Sequence, residues 1–140
     1  AMFPQVQLLH IAQETAAHLQ SQGVQKAIVL ATAGTYQTGL YDTALKACGV
    51  EPLRPDAAGI AQLMRGIYEG VKGDDLPLAE ACFAAALEPL QGQHGHVPII
   101  MGCTEIPLAL PQVKQAQNAW LVDPAWILAQ ALAQQAYAAP

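Results

Sequence analysis

Basic charge is scarce in this chain: six Lys and Arg stand against eleven Asp and Glu in 140 residues, and the six are not clustered. That shortage argues against a nucleic-acid surface, which needs a basic patch or stripe. Charge of either sign is low, 12% of residues against 53% apolar. Ala, Gln and Gly therefore cover much of the surface, and so thin a charge coat points to a face covered by another subunit or domain. No apolar run approaches a membrane span, and no basic-then-apolar leader is seen, so a soluble, cytoplasmic protein without a membrane partner is expected. The three cysteines, Cys48, Cys82 and Cys103, are odd in number and lack CxxC spacing. That pattern fits free thiols in a reducing compartment better than a disulfide framework. The length suits one compact domain with a sizeable core.

What is present is alternation. Residues 10–22 carry Ile11, Thr15, Ala16 and Leu19 at helical spacing and stop at Gly23. Residues 26–32 read as a buried strand, 36–47 as a helix closed by Gly49, and 50–53 as a short strand ended by Pro55. Ile60, Leu63, Met64, Ile67 and Val71 place one apolar face on a helix over 57–71, and a second helix follows over 76–91. Residues 97–102 and 120–122 read as strands, and Pro124 opens a final helix to Tyr137. Strands alternating with helices of this length predict a parallel sheet covered on both faces. The fold class expected is α/β, a three-layer αβα sandwich around a short, mostly parallel four-stranded sheet.

One segment concentrates the chemistry: Pro98-Ile99-Ile100-Met101-Gly102-Cys103-Thr104-Glu105-Ile106-Pro107-Leu108. A buried strand exits through Gly102, and Thr104, Glu105 and Pro107 are residue types that open helices. A thiol at such a turn would face a helix N-terminus, whose unpaired N–H groups favour thiolate. Glu105 opposes this if its carboxylate points at the sulfur. The alternative is a small cysteine filling space in the core.

Ligands of parallel sheets sit at the carboxyl ends of the strands. There the first strand offers Ala31-Thr32-Ala33-Gly34-Thr35-Tyr36, hydroxyls with a glycine that lets amides converge on an anion. The turn lacks the Gly-Lys-Ser/Thr ending of a P-loop, and a helix cap formed by Thr32 or Thr35 is the simpler reading. Parallel topology puts this loop and Cys103-Thr104 on one edge, where thiol, hydroxyls and backbone donors could surround a small carboxylate. His94-Gly95-His96 has the look of a metal pair but sits at the wrong end of its strand, and a solvated turn is the simpler reading. His10 and His18 lie roughly on one helix face, as capping or packing residues. Trp120 and Trp126 read as packing or interface residues.

Three segments carry a resemblance: Ile28-Val29-Leu30-Ala31-Thr32-Ala33-Gly34-Thr35, Gly66-Ile67-Tyr68-Glu69-Gly70-Val71-Lys72, and Met101 to Leu108 with its GCTEIP core. In order and spacing they resemble the aspartate/glutamate racemase superfamily, most closely its aspartate racemase branch. Leu8 to Thr15 resembles the family's inter-lobe helix, and Leu121-Val122-Asp123-Pro124 its last strand. The resemblance implies a cofactor-independent amino-acid racemase in which one thiolate removes the α-proton and a thiol on the opposite face returns one. It makes Cys103 the second of these cysteines. It gives substrate contact to Thr32, Gly34, Thr35, Thr104 and Glu105, and gives Lys72 the side-chain carboxylate of an amino dicarboxylate. Family members are about twice as long, with two lobes around the site. Residues 1–119 correspond to the second lobe, and 120–140 to the strand and helix that complete the first. The first lobe's cysteine is missing from the chain, and neither Cys48 nor Cys82 has a strand-end setting to replace it. Two-base inversion is therefore expected to need the missing first lobe, the chain being a fragment of a longer protein, one half of a split enzyme or a truncated paralogue. The apolar C-terminal segment is expected to pack against a second copy, as a homodimer, or against a separate first-lobe chain. The alternatives are a one-cysteine decarboxylase or isomerase relative, and a non-catalytic domain that binds a small carboxylate or a partner.

Overall fold

The computed structural model describes residues 2–138, with side chains described over residues 11–136. Leu8, Leu9, His10 and Tyr137, considered above, lie outside the described side chains. The elements run α1 (Met2–Ser21), β1 (Lys26–Leu30), α2 (Ala33–Thr38), α3 (Leu40–Ala47), β2 (Glu51–Leu53) and α4 (Ala57–Arg65). A π-helical segment (Gly66–Val71), α5 (Leu76–His94), β3 (Ile99–Met101), three single 3-10 turns, β4 (Leu121–Val122) and α6 (Pro124–Ala138) follow. All strand pairs are parallel, in the order β2-β1-β3-β4. α1, α3 and α6 pack together, and α4 with the π segment packs on α5, so the sandwich is the three-layer α/β fold the alternation implied.

The centre of the sheet is dry. Ala27, Ile28, Val29 and Leu30 of β1 are buried, as are Ile99, Ile100 and Met101 of β3. A strand buried on both faces has no polar side to alternate with, which is why these segments read as continuous apolar runs. The chain leaves β1 toward β2 on one side and later reaches β3 on the other. The order therefore reverses between β1 and β3, and a crevice opens beyond their carboxyl ends. β4 lies in this same sheet, paired to β3 through Ile99–Leu121 and Ile100–Val122, and α6 runs along α1. In the C-terminal segment Val122 and Ile127 are buried, whereas Trp120, Trp126 and Leu132 are exposed, Trp126 by 63%.

Four elements depart from expectation. The helix expected over 36–47 starts at Ala33 and breaks at Gly39, whose φ of 68° is left-handed and whose N–H donates to Tyr36 O. The helix expected over 57–71 becomes π-helical from Gly66, because two glycines let it press on α5: a Cβ on Gly66 would lie 2.7 Å from Phe83, and one on Gly70 2.6 Å from Ala79. No α-helix starts directly after Cys103. Residues Ile106–Leu108, Leu110–Gln112 and Lys114–Ala116 form separate 3-10 turns, since Pro107 and Pro111 remove the amides a continuous helix would need. Finally, α5 runs on through Gly92 to His94.

Candidate active site

The crevice beyond the sheet is a cleft of about 510 Å³ built from three strand exits. The loop after β1 supplies Thr32, Gly34 and Thr35, that after β3 Gly102, Cys103 and Thr104, and that after β4 Asp123. Ile11, Leu40, Tyr41, Met101 and Pro107 add an apolar wall. Gly102 holds the first two loops together: its N–H donates to Leu30 O at 2.7 Å, and a Cβ there would meet Leu30 O at 3.1 Å and Ala31 Cβ at 3.2 Å.

The β1 turn is self-contained. Thr32 caps α2, accepting from Thr35 N at 3.3 Å, and its hydroxyl shares a 3.1 Å hydrogen bond with that of Thr35. Ala33 N donates to Met64 Sδ, and Ala31 N to the Tyr36 hydroxyl, which itself donates to Val29 O. The helix-cap reading of this turn holds, and the amides of Ala31, Ala33 and Thr35 are already bonded within the protein. The turn instead presents two hydroxyls and the bare backbone of Gly34.

At the β3 exit the thiol of Cys103 donates to Glu105 Oε2 at 2.8 Å. The Thr104 hydroxyl donates to the same oxygen at 3.1 Å. Lys72 Nζ stands 3.7 Å from Glu105 Oε1 and 4.6 Å from the centre of the Tyr68 ring. Burial, then this hydrogen bond to a carboxylate, pushes the Cys103 thiol up to about 11. The Glu105 carboxyl is held low, first by the thiol's hydrogen bond, although burial pushes the other way. The thiolate expected from a helix N-terminus is therefore corrected. No α-helix begins there, and Glu105 stabilises S–H over S⁻.

Of the residues singled out in the sequence, Thr32, Gly34, Thr35, Cys103 and Thr104 share the cleft wall. Glu105 touches it through Cys103, and Lys72 stands behind Glu105, half exposed. Asp123 and Tyr41 were missed. Asp123 accepts from Ala125 N at 3.0 Å at the start of α6 and lines the cleft. Its place at a strand's carboxyl end was readable from the Asp-Pro pair. Tyr41 is buried, and burial first, then Asp123 and Cys103, pushes its hydroxyl well above the ordinary tyrosine range. Cys48, Cys82 and Cys103 are all free thiols, and Cys82 is sealed inside α5.

The sequence profile of the Asp/Glu/Hydantoin racemase family matches residues 3–132. The chain belongs to that family. An aspartate racemase homologue from Pyrococcus horikoshii shares its fold with a TM-score of 0.75 at 26% identity, over 91% of this chain and 55% of that one. A proposed Asp/Glu racemase from Yersinia pestis gives 0.79 at 30%, over 92% and 56%. An aspartate racemase from Picrophilus torridus gives 0.67 at 24%, over 90% and 51%, and indicates the fold alone. This chain thus spans about half the length of these solved structures. Among curated sequences, an uncharacterised protein of the pnlA 3' region of Pectobacterium carotovorum subsp. carotovorum is 28% identical over 117 residues, 84% of this chain and 77% of that one.

A protonated Cys103 has a measurable consequence. With a pKa of about 11, about a thousandth of it is thiolate at pH 8, so iodoacetamide should alkylate it about a hundredfold more slowly than an ordinary cysteine. Peptide mass spectrometry across pH 7–11 should show its rate still climbing above pH 10. A plateau by pH 9 would mean that Glu105 does not hold the thiol proton.

Proposed function

We propose that this racemase-family chain supplies one face of an amino-acid α-proton transfer site, with Cys103 as its acid/base group. The observation that carries the reading is the Cys103 thiol, protonated against Glu105 in the wall of a cleft at the β1/β3 reversal. A protonated thiol is the form that returns a proton to a carbanion at Cα, and no cofactor is required for that step. The hydroxyls of Thr32, Thr35 and Thr104, with the open backbone at Gly34, suit the substrate's α-carboxylate. Asp123 is a charged side chain of the cleft wall and suits its ammonium group. Fixing both ends places Cα against the sulfur, so that binding energy serves orientation. Removal of the α-proton from the other face falls to a second acid/base group facing Cys103 across the cleft. Two-base inversion then needs a first lobe, joined to these residues or supplied by a separate chain. The exposed Trp120, Trp126 and Leu132 support such an interface, and light scattering with and without residues 120–140 tests it. Three free thiols suit a cytoplasmic setting.

A one-thiol reaction, protonation after decarboxylation or in an isomerisation, is the second reading. It is favoured by the same S–H, which suffices for a single proton delivery. The test is solvent exchange: D- and L-aspartate and glutamate in heavy water, with the α-proton followed by NMR. Exchange on one enantiomer without inversion is expected, falling by about 10²–10⁴ in Cys103→Ala. Exchange that survives Cys103→Ala, or no exchange with any of the four, would overturn the racemase reading.

A further inference from the structure

We infer that Lys72 is a positioning residue that acts on Cys103 through Glu105, the two forming an ammonium–carboxylate pair that sets how tightly the thiol proton is held. The inference rests on Cys103 being the acid/base group, but its readout needs no turnover, so the two can fail separately.

The geometry is a chain of three groups. Glu105 turns Oε2 to the thiol at 2.8 Å and Oε1 to Lys72 at 3.7 Å. Lys72 has a face of the Tyr68 ring on its other side, 4.6 Å away, an arrangement that holds a cation in place. Both residues belong to the π-helical stretch and its end: Lys72 N donates to Ile67 O across five residues. Such segments insert a residue into a helix and recur at functional sites. Lys72 Nζ faces Glu105 from behind the cleft wall.

The other groups facing the sulfur are Tyr41 from α3 and, beyond it, Asp123 at the start of α6. Neither brings positive charge to it, and the backbone N–H of Glu105 also favours the thiolate. Lys72 is the cation in reach among the described residues, and it makes Glu105 a weaker base. When Cys103 is to act as base, its proton leaves to water in the cleft, and Lys72 offsets part of the negative charge that the thiolate adds beside Glu105. The reverse transfer restores the thiol.

The test is the alkylation rate of Cys103 against pH in the wild-type chain, Lys72→Met, Glu105→Gln and the double variant. Glu105→Gln removes the anionic acceptor and should speed alkylation at pH 8 about tenfold. Lys72→Met should slow it about threefold, and Lys72→Arg should restore it. The decisive outcome is the double variant: in the Glu105→Gln background, Lys72→Met should change nothing. An equal slowing in both backgrounds would mean that Lys72 acts directly through space. No slowing in either would mean that it belongs elsewhere, and both results overturn the inference. Cys82, sealed in α5, reports folding in each variant. Were Lys72→Met to expose it, Lys72→Gln would make the same comparison.

Discussion

Alanine at Gly70 is expected to destabilise the fold by about 3 kcal/mol, a large part of the stability of a domain this size. The added Cβ would lie 2.6 Å from Ala79 Cβ, 2.7 Å from its Cα and 2.8 Å from its amide nitrogen. Two of these atoms are backbone, so no rotamer change relieves the overlap. Nor can Ala79 retreat easily, because its N–H is bonded to Asp75 O at 3.1 Å in the first turn of α5. Asp75 also caps that turn through Leu78 N at 3.2 Å. Either α5 shifts as a body or the π segment lifts away, and the latter carries Lys72 off Glu105. Gly92→Ala is the control: it lies within α5, and a Cβ there would meet nothing within 4 Å. That change should stabilise by a few tenths to about 1 kcal/mol through helix propensity alone. Urea titrations of the two variants separate the cases. Similar midpoints for both would show that the π segment and α5 are not in hard contact.

The same glycines mark where sequence reading stopped. The apolar face over Ile60, Leu63, Met64 and Ile67 is legible as a helix because a period of 3.6 survives until Arg65. Beyond it one extra residue per turn enters, and periodicity carries no sign of that, since what permits it is the absence of side chains at Gly66 and Gly70 against α5. Gly39 was legible in principle, as a left-handed helix stop between Thr38 and Leu40, but the apolar residues on either side masked it. The two strands at the centre of the sheet were plain, being apolar throughout, and parallel topology then placed Thr32, Thr35 and Cys103 on one edge. The electrostatics of that edge were not. A cysteine beside Thr-Glu-Ile-Pro reads either as a helix-start thiolate or as a thiol held by Glu105. The choice depends on Pro107 and Pro111 breaking the following segment into 3-10 turns, which turns the carboxylate and not a row of free amides toward the sulfur. Asp123 went unread for a different reason: a residue that caps a helix and lines a cleft gives the same Asp-Pro signature for either duty.

Alkaline pH above about 9 should progressively destabilise this protein. Tyr36 and Tyr41 are buried, and burial, the largest cause for each, raises both hydroxyls far above the ordinary value of 10.0. The sign follows from linkage. Between the unfolded and the folded pKa the unfolded chain has lost the proton and the native one retains it, so stability falls as pH rises. Each tyrosine's contribution is therefore complete below pH 10 and drains away above it. Cys103 adds a weaker slope that begins lower, from the ordinary 9.0 up to about 11, discounted because it is only half buried. Near pH 11 the two phenols alone should remove about 1 kcal/mol each, at about 1.4 kcal/mol per pH unit past 10. Chemical denaturation from pH 7 to 11 should show a midpoint that is flat to about pH 9 and then falls with growing slope. Tyr36→Phe separates the terms. It deletes the hydroxyl that links Val29 O to Ala31 N beneath the β1 turn, so it should lower stability by about 1–3 kcal/mol at pH 7 while flattening the alkaline limb. A midpoint that stays level through pH 11 would mean that the phenols ionise without opening the core. Their hydroxyls would then reach water through the cleft beside Asp123, and the Tyr36 bridge could not be the clamp that holds the β1 turn in place.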